Sequence, residues 1–366
     1  MTTPISRLLS GIIFLVGLTG AASAQDWQAG APPEWAQTLE AARQEGPLVV
    51  TGSPDMGKPM TEGFQRDTGL KLVFFGGNQR DISSRVEREV KAKNLTIDIV
   101  IGGASDLNLV KEGFGEPIKP QLILPDVLDP KKWQEGSLRW VDTTQSTMFQ
   151  GSEYVYGQPF LNMKRLKPGE IQNWTDMLRP EYRGKITAMD PRQPGSGQAT
   201  AAYLAHLFGL DFLREFYLGQ KVVLTGDARQ AVDWGARGLY SIVIGGSPTD
   251  LETFKAAGID SLKVGDMADG PGTTLGGFSV IWQPKGNPHP KAAKVFLNWY
   301  ASRPGQIAYI ASKGTPTRRT DIDVSGLPDY LKVQPGKTYL ESYNQEFYLN
   351  TRPKLVKVIT DAMGGQ

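Results

Sequence analysis

The chain has 366 residues, with 40 Lys and Arg against 38 Asp and Glu, two His and no Cys. A formal net charge of +2 argues against nucleic acid or an anionic membrane surface as the main partner. Without cysteine there is no disulfide framework and no thiol chemistry, so stability must come from an apolar core, which a chain this long can build.

The first residues read as a secretory signal. Arg7 is a positive n-region, "LLSGIIFLVGLTG" a short apolar h-region, and Ala22-Ser23-Ala24 a small-residue cleavage site before Gln25. The apolar run is short for a membrane span of about 20 residues. No cysteine follows it to carry a lipid anchor, and no later stretch is apolar enough to span. Residues 1–24 are therefore expected to be removed, leaving about two domains at roughly 150 residues each.

Trp35, Leu39 and Ala42 sit at helical spacing in "PPEWAQTLEAARQEG". "PLVVTGSPD" follows as strand and loop, and "MTEGFQRDTG" as a helix stopped by Gly69. "LKLVFFGGNQRD" is a second strand and turn, "ISSRVEREVKAKN" a charged helix, and "LTIDIVIGGASD" a third strand and turn. Three such units in a row predict a parallel sheet with right-handed crossovers. Residues 113–151 are less regular. "EYVYGQPFLNM" alternates, as an extended passage between domains would.

The rhythm resumes at "RGKITAMD". Strand, loop "PRQPGSG" and helix "QATAAYLAHLFG" come first. "KVVLTG" with "DARQAVDWGARG" and "LYSIVIGG" with "SPTDLETFKAAG" complete a second set of three. Ile99-Val100-Ile101-Gly102-Gly103 thus recurs as Ile242-Val243-Ile244-Gly245-Gly246. A short β-branched run suits a strand buried on both faces, and Gly-Gly lets the chain turn sharply. "LGGFSVIW" is one more strand, followed by two helices with proline near their starts, while the chain beyond Asp321 has no clear pattern.

Catalytic patterns are scarce. His206 lies in an Ala- and Leu-rich helix, and His289 sits between two prolines. There is no His-Glu-x-x-His, Gly-x-Ser-x-Gly or Ser-x-x-Lys. "PGSGQATAA" lacks the Lys-Ser/Thr of a phosphate loop, and Thr200 stands where a dinucleotide fingerprint needs its last glycine. What remains is six polar loops at strand ends: "TGSPD", "GGNQRD", "GGASD", "DPRQPGSG", "TGDARQ" and "GGSPTD". Helices that start after such loops aim unpaired N–H groups at whatever lies there. Divided three and three between two sheets, they would line a cleft.

With these features in place, the chain resembles the periplasmic solute-binding proteins of ABC importers, in the group that contains ferric-iron, phosphonate, polyamine and thiamine binders. The resemblance is carried by "EWAQTLEAARQEGPLVVTGS", "NWTDMLRPEYRGKITAMDPRQPGSG", "NPHPKAAKVFLNWYASRPGQ" and "SKGTPTRR", Trp174-Thr175-Asp176-Met177-Leu178 being the most specific part. It implies an α/β, two-lobe type II binding-protein fold, each lobe a sheet flanked by helices, joined by extended hinge strands. Residues 25–155 with about 270–315 would form the first lobe, and 156–269 with about 316–366 the second. It also implies a monomer in the periplasm that takes a small-molecule solute, expected to be anionic and organic, to an inner-membrane ABC permease, without cofactor, catalytic residue, metal or nucleic acid.

The positions matching the family's cleft loops are Ser53, Asp55, Asn78, Arg80 and Ser105, then Arg192, Ser196, Gly197, Asp227, Arg229 and Ser247. Arg80, Arg192 and Arg229 are candidate forks for an oxyanion, with salt bridges to Asp55, Asp106 or Asp227 as their alternative. Arg192, which precedes "PGSG" and the helix after it, is expected to be the main anion contact, converging with free N–H groups near Ser196 and Gly197. Ferric binders of the group carry two adjacent tyrosines after the strand that here ends in Gly245-Gly246, where this chain has Ser247-Pro248. A ferric-ion or ferric-complex binder, an exported hydrolase using the same cleft and a sensor that presents its ligand to a receptor are the competing readings. Export is checked by mass spectrometry of periplasmic protein: the expected N-terminus is Gln25, and a retained apolar run refutes it.

Overall fold

The computed structural model describes residues 27–193, 195–342 and 344–363; the signal-peptide expectation, residues 1–24, lies outside them. α1 (Glu34–Glu45) leads into β1 (Leu48–Gly52), α2 (Gly57–Thr68), β2 (Leu72–Gly76), α3 (Gln79–Lys91) and β3 (Ile99–Gly102). β1 lies between β2 and β3 and runs parallel to both. The irregular stretch contains the short helices α4 (Leu107–Lys111) and α5 (Pro125–Leu128) and the two-residue strands β4 (Gly115–Glu116), β5 (Arg139–Trp140) and β6 (Phe149–Gln150).

β7 (Tyr154–Tyr156) and β8 (Phe160–Asn162) carry the chain across to a second sheet. There β9 (Ile186–Met189), α6 (Ser196–Arg214), β10 (Val223–Thr225), α7 (Ala228–Ala236), β11 (Ile242–Ile244), α8 (Pro248–Ala256) and β12 (Leu262–Val264) follow in order. β9 is parallel to β10 and β11, and β8 runs antiparallel between β11 and β12. The chain then returns through β13 (Thr273–Leu275) to β14 (Val280–Pro284), α9 (Pro290–Ala301) and α10 (Arg303–Lys313), and ends in β15 (Leu340–Glu341) and α11 (Arg352–Met363).

β14 enters the first sheet antiparallel to β3 and β6, giving the order β2-β1-β3-β14-β6-β5. The second sheet has the matching order β10-β9-β11-β8-β12, and β15-β13-β7 form a small third sheet where the chain crosses. The two Ile-Val-Ile runs are β3 and β11, the strands that each centre their sheet. Alternate side chains point to opposite faces. Ile99 and Ile101 join one first-lobe core with Trp299 and Phe296, while Val100 joins the core of Ile82, Val86 and Trp282 on the other face. Ile242, Ile244 and Val243 divide the same way in the second lobe. Burial on both faces is why these strands are unbroken apolar runs. Among the described residues no helix is long and apolar enough to cross a membrane.

Residues 315–321 pack on the first lobe, although the sequence reading placed everything from about 316 onward with the second. Thr317 bridges Ser152 and Arg319 bridges Trp133. Arg319 is buried: its guanidinium meets Asp126 Oδ2 at 3.0 Å, Asp321 Oδ2 at 2.8 Å and Ala301 O at 3.1 Å, and lies over the Trp133 ring. A Thr-Arg-Arg-Thr-Asp string reads as surface from sequence, because apart from Asp321 the acids that receive its arginines, Asp126, Glu135 and Glu153, come from far along the chain. Arg319→Ala leaves Asp126 with one cation fewer in a buried site. A loss of about 3–5 kcal/mol in urea unfolding is expected, and a loss near zero refutes this account.

A second buried charge supports the first-lobe loops. Asp106 accepts from Gln79 Nε2 at 2.9 Å, Ser83 Oγ at 2.5 Å and Trp282 Nε1 at 2.9 Å, and Gln79 Oε1 in turn accepts from Gly103 N at 2.9 Å. The network closes tightly against the strand end: a Cβ on Gly102 would lie 2.6 Å from Gln79 Oε1. Burial pushes the Asp106 carboxyl up from 3.8 to about 6, against the pull of Ser83, Trp282 and Gln79. The folded protein therefore holds this proton more tightly than the unfolded chain does. The resulting stabilisation is present below about pH 4 and is lost as pH rises through about 6, a swing of about 3 kcal/mol. The stability of wild type relative to Asp106→Asn should fall by about that amount between pH 4 and pH 7 in urea unfolding; a difference that does not change with pH contradicts it.

Candidate functional site

The carboxyl ends of the parallel strands in both lobes border one cavity of about 860 Å³. Open α/β sheets bind ligands at this edge because the helices that follow start there. α3, α6, α7 and α8 all begin at the cavity wall, with Gln79, Ser196, Ala228 and Pro248 in its lining. Their first turns are satisfied differently. The Asn78 side chain accepts from Asp81 N at 3.0 Å and caps α3. Ser247 Oγ accepts from Asp250 N at 3.2 Å and caps α8. α6 starts after Gly195 with no side-chain cap among the described residues, and Gly195, Ser196 and Ala199 of this helix start line the cavity.

Of the residues expected from the cleft loops, Asn78, Arg80, Ser105, Ser196 and Ser247 line the cavity. The other six do not, and each has a local reason. Ser53 and Asp55 hold Lys313, whose Nζ lies 3.3 Å from Ser53 Oγ and 2.7 Å from Asp55 Oδ2; Lys313 itself faces the cavity. Gly197 is needed for packing, since a Cβ there would lie 2.3 Å from Met189 O. Asp227 caps α7 by accepting from Arg229 N at 2.9 Å. Arg229 is exposed, pairs with Asp250 at 3.5 Å and lies over the Phe254 ring.

Arg192 departs most from expectation. Its Nε donates to Asp190 Oδ1 at 2.9 Å and its Nη2 to Asp190 Oδ2 at 2.8 Å, a fork closed within the loop. The pairing holds the Asp190 carboxyl below the usual aspartate range, with the Arg192 hydrogen bond the largest cause. The acid two residues upstream was visible in the sequence and competes at shorter range than any solute.

Several lining residues come from outside the six loops. Tyr154 and Tyr156 face the cavity from β7, Leu275, Gly277 and Phe278 from the return crossing, and Lys313 and Thr315 from the end of α10. Ser342, Phe347, Tyr348 and Arg352 come from the C-terminal segment. The Tyr156 hydroxyl donates to Gly245 O at 3.2 Å, tying the crossing strand to the second lobe. Burial pushes the Tyr156 phenol up to about 12, with the Ser196 hydroxyl pulling the other way. Burial raises Tyr154 further still, helped by the nearby Tyr309 and Tyr156. Both are neutral hydroxyls at physiological pH. The alternation that marks Tyr-Val-Tyr as extended was legible, but not which face meets a ligand.

The cationic side chains on the wall are Arg80, Lys313 and Arg352, and the acidic ones Asp81 and Glu87. Asp81 accepts from Asn78 Nδ2 at 2.6 Å and Glu87 pairs with Lys91 at 2.6 Å, whereas Arg80 has no ion-pair partner among the described residues. No group of three or more His, Asp or Glu is arranged to hold a metal among the described residues.

Known proteins of similar sequence or shape fit this arrangement. Residues 60–328 match the family model described as bacterial extracellular solute-binding protein. An uncharacterized protein of Haemophilus influenzae is 25% identical over 316 residues, covering 84% of this chain and 87% of that one. The fold is similar to that of the periplasmic binding protein AfuA of Actinobacillus pleuropneumoniae with fructose 6-phosphate bound, at TM-score 0.65 and 22% identity over 88% of this chain and 99% of that one. It is also similar to the Trichodesmium protein FutA in complex with iron and citrate, at TM-score 0.67 and 18% identity over 88% and 100%. On the family match, the two matched sheets and the cavity between them, the chain belongs to the bacterial extracellular solute-binding proteins, the solute-capturing components of ABC importers.

Proposed function

We propose that this protein captures a small anionic organic solute in the cavity between its lobes, as a periplasmic monomer, and passes it to an inner-membrane permease. The observation that carries the reading is the convergence of four helix starts with Arg80, Lys313 and Arg352 on one cavity of about 860 Å³. N–H groups at a helix start favour an anion electrostatically, and charge-assisted hydrogen bonds from guanidinium and ammonium add to this. The acids on the same wall are already engaged with Asn78 and Lys91. The aromatic residues Tyr154, Tyr156, Phe278 and Tyr348 provide apolar area for the body of the solute. A volume of this size lies within the range that takes a whole small molecule.

A bare ferric ion fits less well, because it asks for clustered anionic oxygen ligands and no group of three or more His, Asp or Glu is arranged to hold a metal among the described residues. AfuA, of the same fold, was solved with a sugar phosphate, which makes phosphorylated sugars a natural first choice of probe. The test is a thermal-shift screen of the mature protein against inorganic phosphate, fructose 6-phosphate, citrate, thiamine, spermidine and ferric ion. A ligand at 100 times its Kd adds about 2.7 kcal/mol of stability. Stabilisation by at least one of the three anions is the expected result, and stabilisation by thiamine, spermidine or ferric ion alone overturns the proposal.

A further inference from the structure

The C-terminal segment supplies a wall of the cavity that lies beyond the family-matched residues, which end at 328. It is fastened to both lobes. On the first, Gln345 N donates to Val141 O at 3.2 Å, Gln345 Oε1 accepts from Thr143 N at 2.9 Å, and Arg139 pairs with Glu341. Tyr348 and Leu349 pack on the core of Ile82, Val86 and Trp282. On the second lobe, Ile359 is buried in the core that contains α6 residues Leu204 and Ala205.

Arg352 stands between these attachments. Its Nε and Nη2 donate to Gln198 Oε1 at 3.2 and 2.9 Å, and its guanidinium carbon lies 4.6 Å from the centre of the Tyr348 ring. Gln198 is in the first turn of α6, the helix without a side-chain cap. Arg352 is therefore at the helix start where the sequence reading placed Arg192, and the two arginines have exchanged parts: Arg192 is consumed by Asp190, while Arg352 lines the cavity. Nη1 of Arg352 makes no hydrogen bond among the described residues, and stacking on Tyr348 fixes the plane in which it is presented.

We propose that Arg352 is a solute-contacting, specificity-determining residue, whose guanidinium holds the oxyanion group of the solute over the start of α6. The inference rests on the anionic-solute reading above. Ligand choice is then set in part by a segment outside the shared family region. Lysine is a poor substitute, because an ammonium cannot hold Gln198 and an oxyanion in one plane.

Calorimetry with inorganic phosphate, fructose 6-phosphate and citrate tests it on wild type, Arg352→Gln, Arg352→Lys and Arg192→Ala, together with the melting temperature of each unliganded protein. Arg352→Gln keeps a polar, hydrogen-bonding side chain near Gln198 and removes the charge. For whichever anion binds wild type, it should weaken affinity by about ten- to a hundred-fold with an unchanged unliganded melting temperature. Arg352→Lys should recover part of the loss, and Arg192→Ala should stay within about three-fold of wild type. If wild type binds an anion and Arg352→Gln binds it equally well, the inference falls and the anionic reading stands. A loss matched by a lower unliganded melting temperature in both Arg352 variants shows a structural role and also overturns it. If none of the three anions binds wild type, the anionic reading and the inference fall together.

Discussion

The site depends on how the backbone N–H groups at the ends of the parallel strands are satisfied. Each strand-turn-helix unit leaves unpaired donors at one edge of its sheet, and an unpaired buried donor costs about 1–3 kcal/mol. Asn78 and Ser247 answer part of this demand within α3 and α8, but among the described residues no side chain caps α6. The two sheets bring these edges to a common cavity, so the demand left by one lobe is met in a space that both lobes enclose. Tyrosines kept neutral and engaged carboxylates leave the balance of the wall with the donors.

Local pairs then decide which charges face the cavity. Asp190 takes Arg192 because two residues of one loop meet at little entropic cost, while a solute must be recruited from solution. Asp55 and Ser53 take Lys313 in a different way: the pair aims an ammonium from α10 at the cavity edge without leaving the wall, and the lysine lies over Phe278. The same loop acids that could have neutralised the site instead sort its cations into those that are spent locally and those that are presented.

Much of the fold was legible because it is written in local patterns. The repeated Ile-Val-Ile-Gly-Gly marks β3 and β11, and the six loops occupy the edge expected of them. Five of the eleven residues read from those loops reach the cavity, and those that do not are caps, a packing glycine or partners of a neighbour. The residues missed have a common cause. Lys313 meets Asp55 across 258 positions and Arg352 meets Gln198 across 154. No periodicity encodes such contacts, and the charged strings around Arg319 and Arg352 look like surface until their partners are in place. Arg319 shows the same thing away from the site, where a buried ion-pair cluster moves residues 315–321 to the first lobe.

The C-terminal segment adds a constraint of its own. It touches the first lobe through Gln345, Tyr348 and Leu349 and the second through α11 and Arg352. Any separation of the lobes has to break one of these sets. The first-lobe set is held by the Gln345 hydrogen bonds, the Arg139–Glu341 pair and half-buried apolar contacts, whereas on the second lobe Ile359 is fully buried. α11 packs along α6, so a separation that opens the first-lobe set leaves the segment on α6. Arg352 then remains over the start of α6 in either arrangement, with its guanidinium oriented before a solute arrives, and the ordering cost of that side chain is met in folding instead of in binding.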